Sequence, residues 1–342
     1  MRKIPVLSVA LSFACGRGEE CSPTWRALSE SLDRVPLSIW GTSPTDIYAV
    51  GGGLDVPGLA TLVLHYDGAS WRALNHGGRT ETLWWVAGIP GSRRVWMVGD
   101  KGLVLTWDGR TLTRVESGTS TRLYGAWGHG DSDVWIVGGT TIGLREDGHA
   151  SATEETDLVL HWDGKSLQRD PTVPRRGVAL FKVWGTDQGE LWVSGESGTL
   201  LRRTALGWED RSHELGTRDS LFTVHGCSAR EVLAVGGRTV YGFDGGQWRP
   251  LDVGPVFNPV VGVSCGPRAL LVVGMGGVKL RKDKATDAWH DEQMQSPTGH
   301  DFHGAWADPE GGLWAVGGNW MTPARFLSNR TGAIAHWGCN SR

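Results

Sequence analysis

The sequence predicts an all-β fold, a seven-bladed β-propeller. Three observations carry that expectation. One phrase recurs seven times: an apolar run, a Trp-Gly turn, a second apolar run ending in Gly, then an aromatic strand closed by Asp-Gly. The copies recur at roughly 40–50 residues with about four short strands each, the spacing of propeller blades. The last copy stops one strand short, and a matching strand stands at the other end of the chain.

With the strands of a blade lettered A to D, strand B anchors the register. Its closing glycines are Gly51, Gly99, Gly138, Gly195, Gly236, Gly274 and Gly317, each preceded by a β-forming run such as Ile47-Tyr-Ala-Val or Val134-Trp-Ile-Val. Strand A ends near Trp40, Trp85, Trp127, Trp184, His225, Val263 and Trp306. Strand C passes through His65-Tyr66, Thr106-Trp107, His161-Trp162, Arg202-Arg203, Gly242-Phe243, Leu280-Arg281 and His336-Trp337. Asp67-Gly68, Asp108-Gly109, Asp163-Gly164 and Asp244-Gly245 read as tight turns into strand D. The blades fall at about 36–75, 82–116, 122–170, 178–212, 219–252, 257–290 and 301–338. Pro23-Thr-Trp25-Arg-Ala-Leu28 matches the blade 1 strand D, Ala69-Ser-Trp71-Arg-Ala-Leu74, so residues 22–30 are expected to supply the outer strand of blade 7. That donation closes the ring and covers an open edge.

The cysteines agree with this scheme. Cys21 precedes the donated strand and Cys339 follows the strand it joins, while Cys227 and Cys265 share one position, the A-to-B turn, in adjacent blades. Four cysteines allow three pairings, and these positions favour Cys21–Cys339 and Cys227–Cys265. Bridges need an oxidising compartment, which the N-terminus supplies. Met1-Arg-Lys is basic, Ile4 to Ala14 is apolar, and Ala14-Cys15 resembles a bacterial lipobox in which Cys15 becomes the lipidated N-terminus. Residues 1–14 then form a lipoprotein signal, 15–21 a tether and 22–342 one propeller. Gly16 lacks the Asp of inner-membrane retention, which implies an outer-membrane lipoprotein, periplasmic or surface-exposed. The alternative is an ordinary secretion signal and a soluble product. The formal net charge is −3, and no basic stripe argues for nucleic acid.

The chain resembles the repeats of secreted lipoprotein propellers of predatory and fruiting soil bacteria, through Trp-Gly-Thr-Ser and Asp-Ile-Tyr-Ala-Val-Gly, and more distantly Asp-box and WD40-like propellers. The likeness covers nearly the whole mature chain; blade 6 departs most, with Gly262-Val-Ser-Cys265. It implies the fold and says little of activity.

Function is expected where the blades differ. Blades 1, 3 and 7 carry long B-to-C loops, which in a propeller emerge on one face. The candidate binding surface is Asp55 from blade 1, Arg145, Asp147 and His149 from blade 3, and Asn319, Trp320, Arg325 and Phe326 from blade 7. Trp, Phe and Arg in a long loop match the composition of binding surfaces, although the aromatics also suit a loop tucked onto its own blade. The acidic blade 3 loop allows a calcium ion or a basic partner but lacks a calcium loop's alternation; no cofactor is expected. Recurring tryptophans read as inter-blade packing. The expected role is an envelope-anchored, monomeric module that binds a protein or glycan. Alternatives are an Asp-box-like glycoside hydrolase or polysaccharide lyase, and a periplasmic assembly scaffold. The sequence singles out no catalytic pair of carboxylates. Tyr124 is the tyrosine placed to face the central channel.

Overall fold

The structure, a computed structural model, describes residues 21–142 and 155–339. These form seven four-stranded antiparallel sheets arranged as a β-propeller. Blade 1 is β2 (Val35–Ser43), β3 (Asp46–Gly52), β4 (Leu62–Tyr66) and β5 (Trp71–Ala73). Blade 2 is β6 (Leu83–Gly88), β7 (Val95–Gly99), β8 (Val104–Trp107) and β9 (Leu112–Val115). Blade 3 is β10 (Leu123–Gly130), β11 (Asp133–Gly138), β12 (Leu158–Trp162) and β13 (Leu167–Arg169). Blade 4 is β14 (Leu180–Gly185), β15 (Leu191–Gly195), β16 (Leu200–Thr204) and β17 (Gly207–Asp210). Blade 5 is β18 (Leu221–Ser228), β19 (Glu231–Gly236), β20 (Thr239–Phe243) and β21 (Trp248–Pro250). Blade 6 is β22 (Val260–Cys265), β23 (Ala269–Gly274), β24 (Lys279–Asp283) and β25 (Trp289–Asp291). Blade 7 is β26 (Phe302–Ala307), β27 (Leu313–Gly318), β28 (Gly332–Gly338) and, as its outermost strand, β1 (Thr24–Leu32), which pairs Trp25 with Trp337 and Leu32 with Gly332.

The innermost strands touch in a closed circuit, from β2 through β6, β10, β14, β18 and β22 to β26 and back to β2. The core is divided into wedges, each shared by two neighbouring blades. Ile39, Ile47, Ala49 and Leu62 of blade 1 pack on Trp306, Trp314 and Val316 of blade 7. Trp135, Val137 and Val159 of blade 3 meet Leu180, Val183 and Leu191 of blade 4 in the same way. Strand B is therefore covered on both faces, which is why it reads as a continuous apolar run and not as an alternating one.

The Trp-Gly phrase has a direct physical cause. The tryptophan of one blade lies over the glycine of the next. A Cβ placed on Gly88 would fall 1.9 Å from the Trp40 ring, and one on Gly185 or Gly226 would fall 2.6 Å or 2.5 Å from Trp127 or Trp184. Trp306 closes the same contact onto Gly41 across the blade 7–blade 1 seam. Two sequence-based positions shift here. The register places Ala87, not Trp85, and Ser264, not Val263, opposite the strand-B residue that Trp40 faces in blade 1. In both blades the residue at the Trp40 position is small, so the bulky neighbour is not its equivalent.

The turns behave as their composition requires. Asp67, Asp108, Asp163 and Asp244 each accept two backbone N–H groups from the residues that follow. Those bonds hold the carboxyls below their ordinary range, down to about 2 for Asp244, where the Arg249 side chain adds a further hydrogen bond. The acids before strand B reach across to strand C. Asp46 meets His65 at 2.7 Å and Asp133 meets His161 at 2.6 Å.

Candidate functional site at the channel mouth

Every inner strand bulges at the same place. Pairing skips one residue at Leu37, Trp84, Tyr124, Phe181, Phe222, Val261 and His303. A bulge re-aims the extra side chain, and here the bulged residues form an aromatic collar. Trp84, Tyr124, Phe181 and Phe222 follow one another edge to face or stacked, with centroids 5.2–5.7 Å apart. Trp84 of blade 2 also meets His303 of blade 7 at 5.9 Å, skipping blade 1, so both side chains reach toward the axis. Strand A begins and strand B ends at this level, so the collar lies at the mouth that the B-to-C and D-to-A loops surround.

Polar groups support the collar. Trp84 Nε1 donates to Asp100 Oδ1 at 2.8 Å, and Arg122 pairs with the same carboxylate. The Arg122 guanidinium lies 5.1 Å from the Trp84 ring and 5.9 Å from Tyr124. Burial and the neighbouring charges of Asp100 and Glu196 raise the Tyr124 hydroxyl despite the opposing pull of Arg122. A tyrosine nucleophile needs the opposite shift. Behind the collar Lys182 is buried, donates to the Tyr124 carbonyl at 2.7 Å and sits 4.5 Å from the Trp85 ring. Burial pushes its pKa down to about 7. His303 donates from Nδ1 to the Leu37 carbonyl at 2.6 Å, joining blade 7 to blade 1.

Several of the sequence-predicted surface residues meet at this mouth. Asp55 lies 4.0 Å from Arg122, and the two line a cleft of about 290 Å³ with Asp100, Lys101, Tyr124 and Thr140. Trp320 is half-buried: its ring stands edge-on to His303 at 5.0 Å and its Nε1 donates to the Asp301 carbonyl. It is thus part of the collar's support, while Arg325 and Phe326 point outward, stacked at 4.7 Å. Arg145, Asp147, His149 and Cys15 lie outside the described residues. At the edge of the blade 3 loop, Asp157 accepts the backbone N–H groups of Arg176 and Gly177, and Glu155 accepts from Arg169 and Thr119.

The structure adds residues that the sequence reading passed over. Buried Arg330 donates to the carbonyls of Gly53, Leu54, Asn319 and Thr322, and so clamps the blade 1 and blade 7 loops together. Phe257 and Met294 are 72% and 87% exposed on D-to-A loops, which emerge on the same face as the blade 7 loop with exposed Met321 and Phe326. On the opposite face Leu206 is the one large apolar side chain so exposed among the described residues. A large apolar residue inside the turn-rich Gly-Pro-Val-Phe-Asn-Pro or the polar Asp-Glu-Gln-Met-Gln-Ser-Pro was the available signal.

Solved propellers share this architecture. A solved structure of YCF48 bound to D1 peptide superposes with a TM-score of 0.66 at 12% identity, covering 99% of this chain and all of that one. The Myceliophteria thermophila Cps50 (Swd1) β-propeller domain gives 0.61 at 12% identity, with 92% of this chain and 100% of that domain. The extracellular domain of the putative one component system BT4673 from B. thetaiotaomicron gives 0.63 at 13%, covering 91% of this chain and 39% of that one. At these identities the likeness establishes the fold. No family model matches the chain, and no curated protein matches it at a significant level. Among the described residues no helix is long and apolar enough to cross a membrane.

Proposed function

We propose that the propeller is a protein-binding module whose partner docks on the channel mouth and the loops around it, those of blades 1, 3 and 7 together with the blade 5–6 and 6–7 connections. One observation carries the reading: Phe257, Met294, Met321 and Phe326 stand exposed on loops of a single face, around a mouth lined by aromatic rings and the Arg122–Asp100 pair. Exposed apolar groups concentrated on one face mark interaction surfaces, and aromatics, Met and Arg are the residues enriched there. The structural neighbour YCF48 is bound to a peptide, which agrees with this use of the fold.

Lipidation at Cys15 fits the same arrangement. Cys21 is joined to Cys339 at the turn face, opposite the mouth. Six residues from Cys15 to Cys21 span at most about 20 Å. A lipid there holds the turn face toward the membrane and presents the mouth outward, so the partner belongs to the envelope or lies beyond it.

Photo-crosslinking in intact cells tests the reading. A benzophenone side chain at Phe326 or Phe257 is expected to give a discrete protein adduct that is lost in an Arg325→Ala/Met321→Asp background, and one at Leu206 is expected to give none. Adducts at Leu206 alone would refute it. Binding on a glycan array that these substitutions abolish would move the ligand from protein to sugar.

A further inference from the structure

The turn between blades 5 and 6 holds a group of side chains that the docking face does not use. Cys227 at the end of β18 and Cys265 at the end of β22 are joined as a disulfide, Cα–Cα 5.3 Å, across the seam. Both are half-buried, so a reductant can reach them. Lys284, just after β24, places its ammonium Nζ 3.0 Å from Cys227 Sγ and 3.3 Å from Cys265 Sγ. The same Nζ lies 3.4 Å from Glu231. The two sulfurs and the Glu231 carboxylate lie close enough together to ligate a metal ion, and the ammonium takes the place of that cation. His225 also lies here; its Nδ1 accepts the Cys265 N–H, so the ring is neutral.

We propose that Cys227–Cys265 is a thiol–disulfide exchange site, reduced by a dithiol and poised by Lys284. A thiolate of the dithiol attacks one sulfur; a mixed disulfide forms, the Cys–Cys bond breaks, and the electron pair stays on the leaving sulfur. That sulfur leaves as a thiolate beside the ammonium, which needs no proton transfer to stabilise it. The second thiolate of the dithiol then attacks the mixed disulfide and frees the other cysteine, so the dithiol is oxidised and the protein disulfide reduced by two electrons. A cation against the sulfurs favours thiolate over thiol, which speeds departure and stabilises the reduced form. Glu231 opposes part of this by facing the same space.

The chain contains its own control. No cationic side chain contacts the Cys21–Cys339 sulfurs among the described residues; Cys339 Sγ meets only the Cys21 carbonyl. Equilibrating the folded protein in dithiothreitol buffers, alkylating free thiols and mapping each pair by mass spectrometry reads both bridges in one sample. Cys227–Cys265 is expected to reduce at a potential less negative than Cys21–Cys339. Lys284→Met should make its reduction about tenfold less favourable, about 30 mV for a two-electron couple, and Lys284→Arg, which keeps the charge, should retain most of the native value. Circular dichroism of each variant separates loss of fold from loss of poise. Equal potentials for the two bridges, or a Met variant that reduces as readily as the native protein, would overturn the proposal.

Discussion

Gly88 shows how much one hydrogen atom decides in this molecule. Its neighbour Trp40 fills the space where a methyl group would be, and the ring is also shared between two inter-blade wedges. Gly88→Ala forces either the indole or the β6 backbone to move. The expected cost is about 1–3 kcal/mol, the usual penalty for overpacking a tight core, read from the denaturant midpoint; a midpoint within experimental error of native would discredit the Trp-on-Gly packing as the reason for the repeat. The paired residues were legible as a recurring dipeptide. Their contact was not, because tryptophan and the glycine it covers belong to different copies of the phrase.

At the scale of the element, β1 matters most. Trp25 leaves blade 7 to donate its Nε1–H to Glu292 at 2.7 Å, where Arg281 also bonds at 2.9 Å, so the strand grips blade 6 as well as its own sheet. Cys21 and Cys339 lie 318 residues apart in sequence and at the same end of the paired strands. Treating β1 as the closure of the ring predicts that Cys21→Ser/Cys339→Ser loses about 2–5 kcal/mol, the usual cost of removing a native disulfide. Thermal melting of the two forms checks this. A melting temperature unchanged by the double substitution would mean that the ring is held by its wedges alone.

The whole molecule's response to pH rests on buried imidazoles, His303 at the seam between blades 7 and 1 and His336 inside blade 7. Burial pushes His303 down to about 3 and His336 down to about 4, so both stay neutral in the folded protein. An unfolded chain binds those protons from about pH 6.5 downward. Stability contributed by neutral burial is therefore complete above about pH 6.5 and declines as pH falls through 6.5 toward 4. Lys182, at about 7, extends the same sign upward, since the unfolded lysine holds its proton to higher pH. Asp133 responds later in acid: burial would raise it, but hydrogen bonds from His161 and His129 outweigh that and keep it below the usual range. The melting temperature is expected to drop steadily between pH 6.5 and 4, and His336→Gln should flatten part of that slope. A temperature that rises on acidification would reverse the assignment of neutral rings.

The sequence by itself determined the number of blades, the order of strands in each, the Asp-Gly turns and the three loops that depart from the repeat. Those features are local and periodic: strand propensity, turn chemistry and copy number are written within forty or so residues. Tyr124 apart, which the sequence already placed toward the channel, only the tertiary structure decided what lines it. The collar depends on a one-residue bulge in each inner strand, which no period reveals, and its rings come from blades 2, 3, 4, 5 and 7. Trp320, which composition suits equally to a binding surface or to a loop tucked onto its own blade, packs on His303 and donates to the Asp301 carbonyl of that blade. Phe257 and Met294 became part of a surface because their separate loops open on one side of a closed ring. Convergence of that kind arises from closing the circle, and residues far apart in the chain meet only once it is closed.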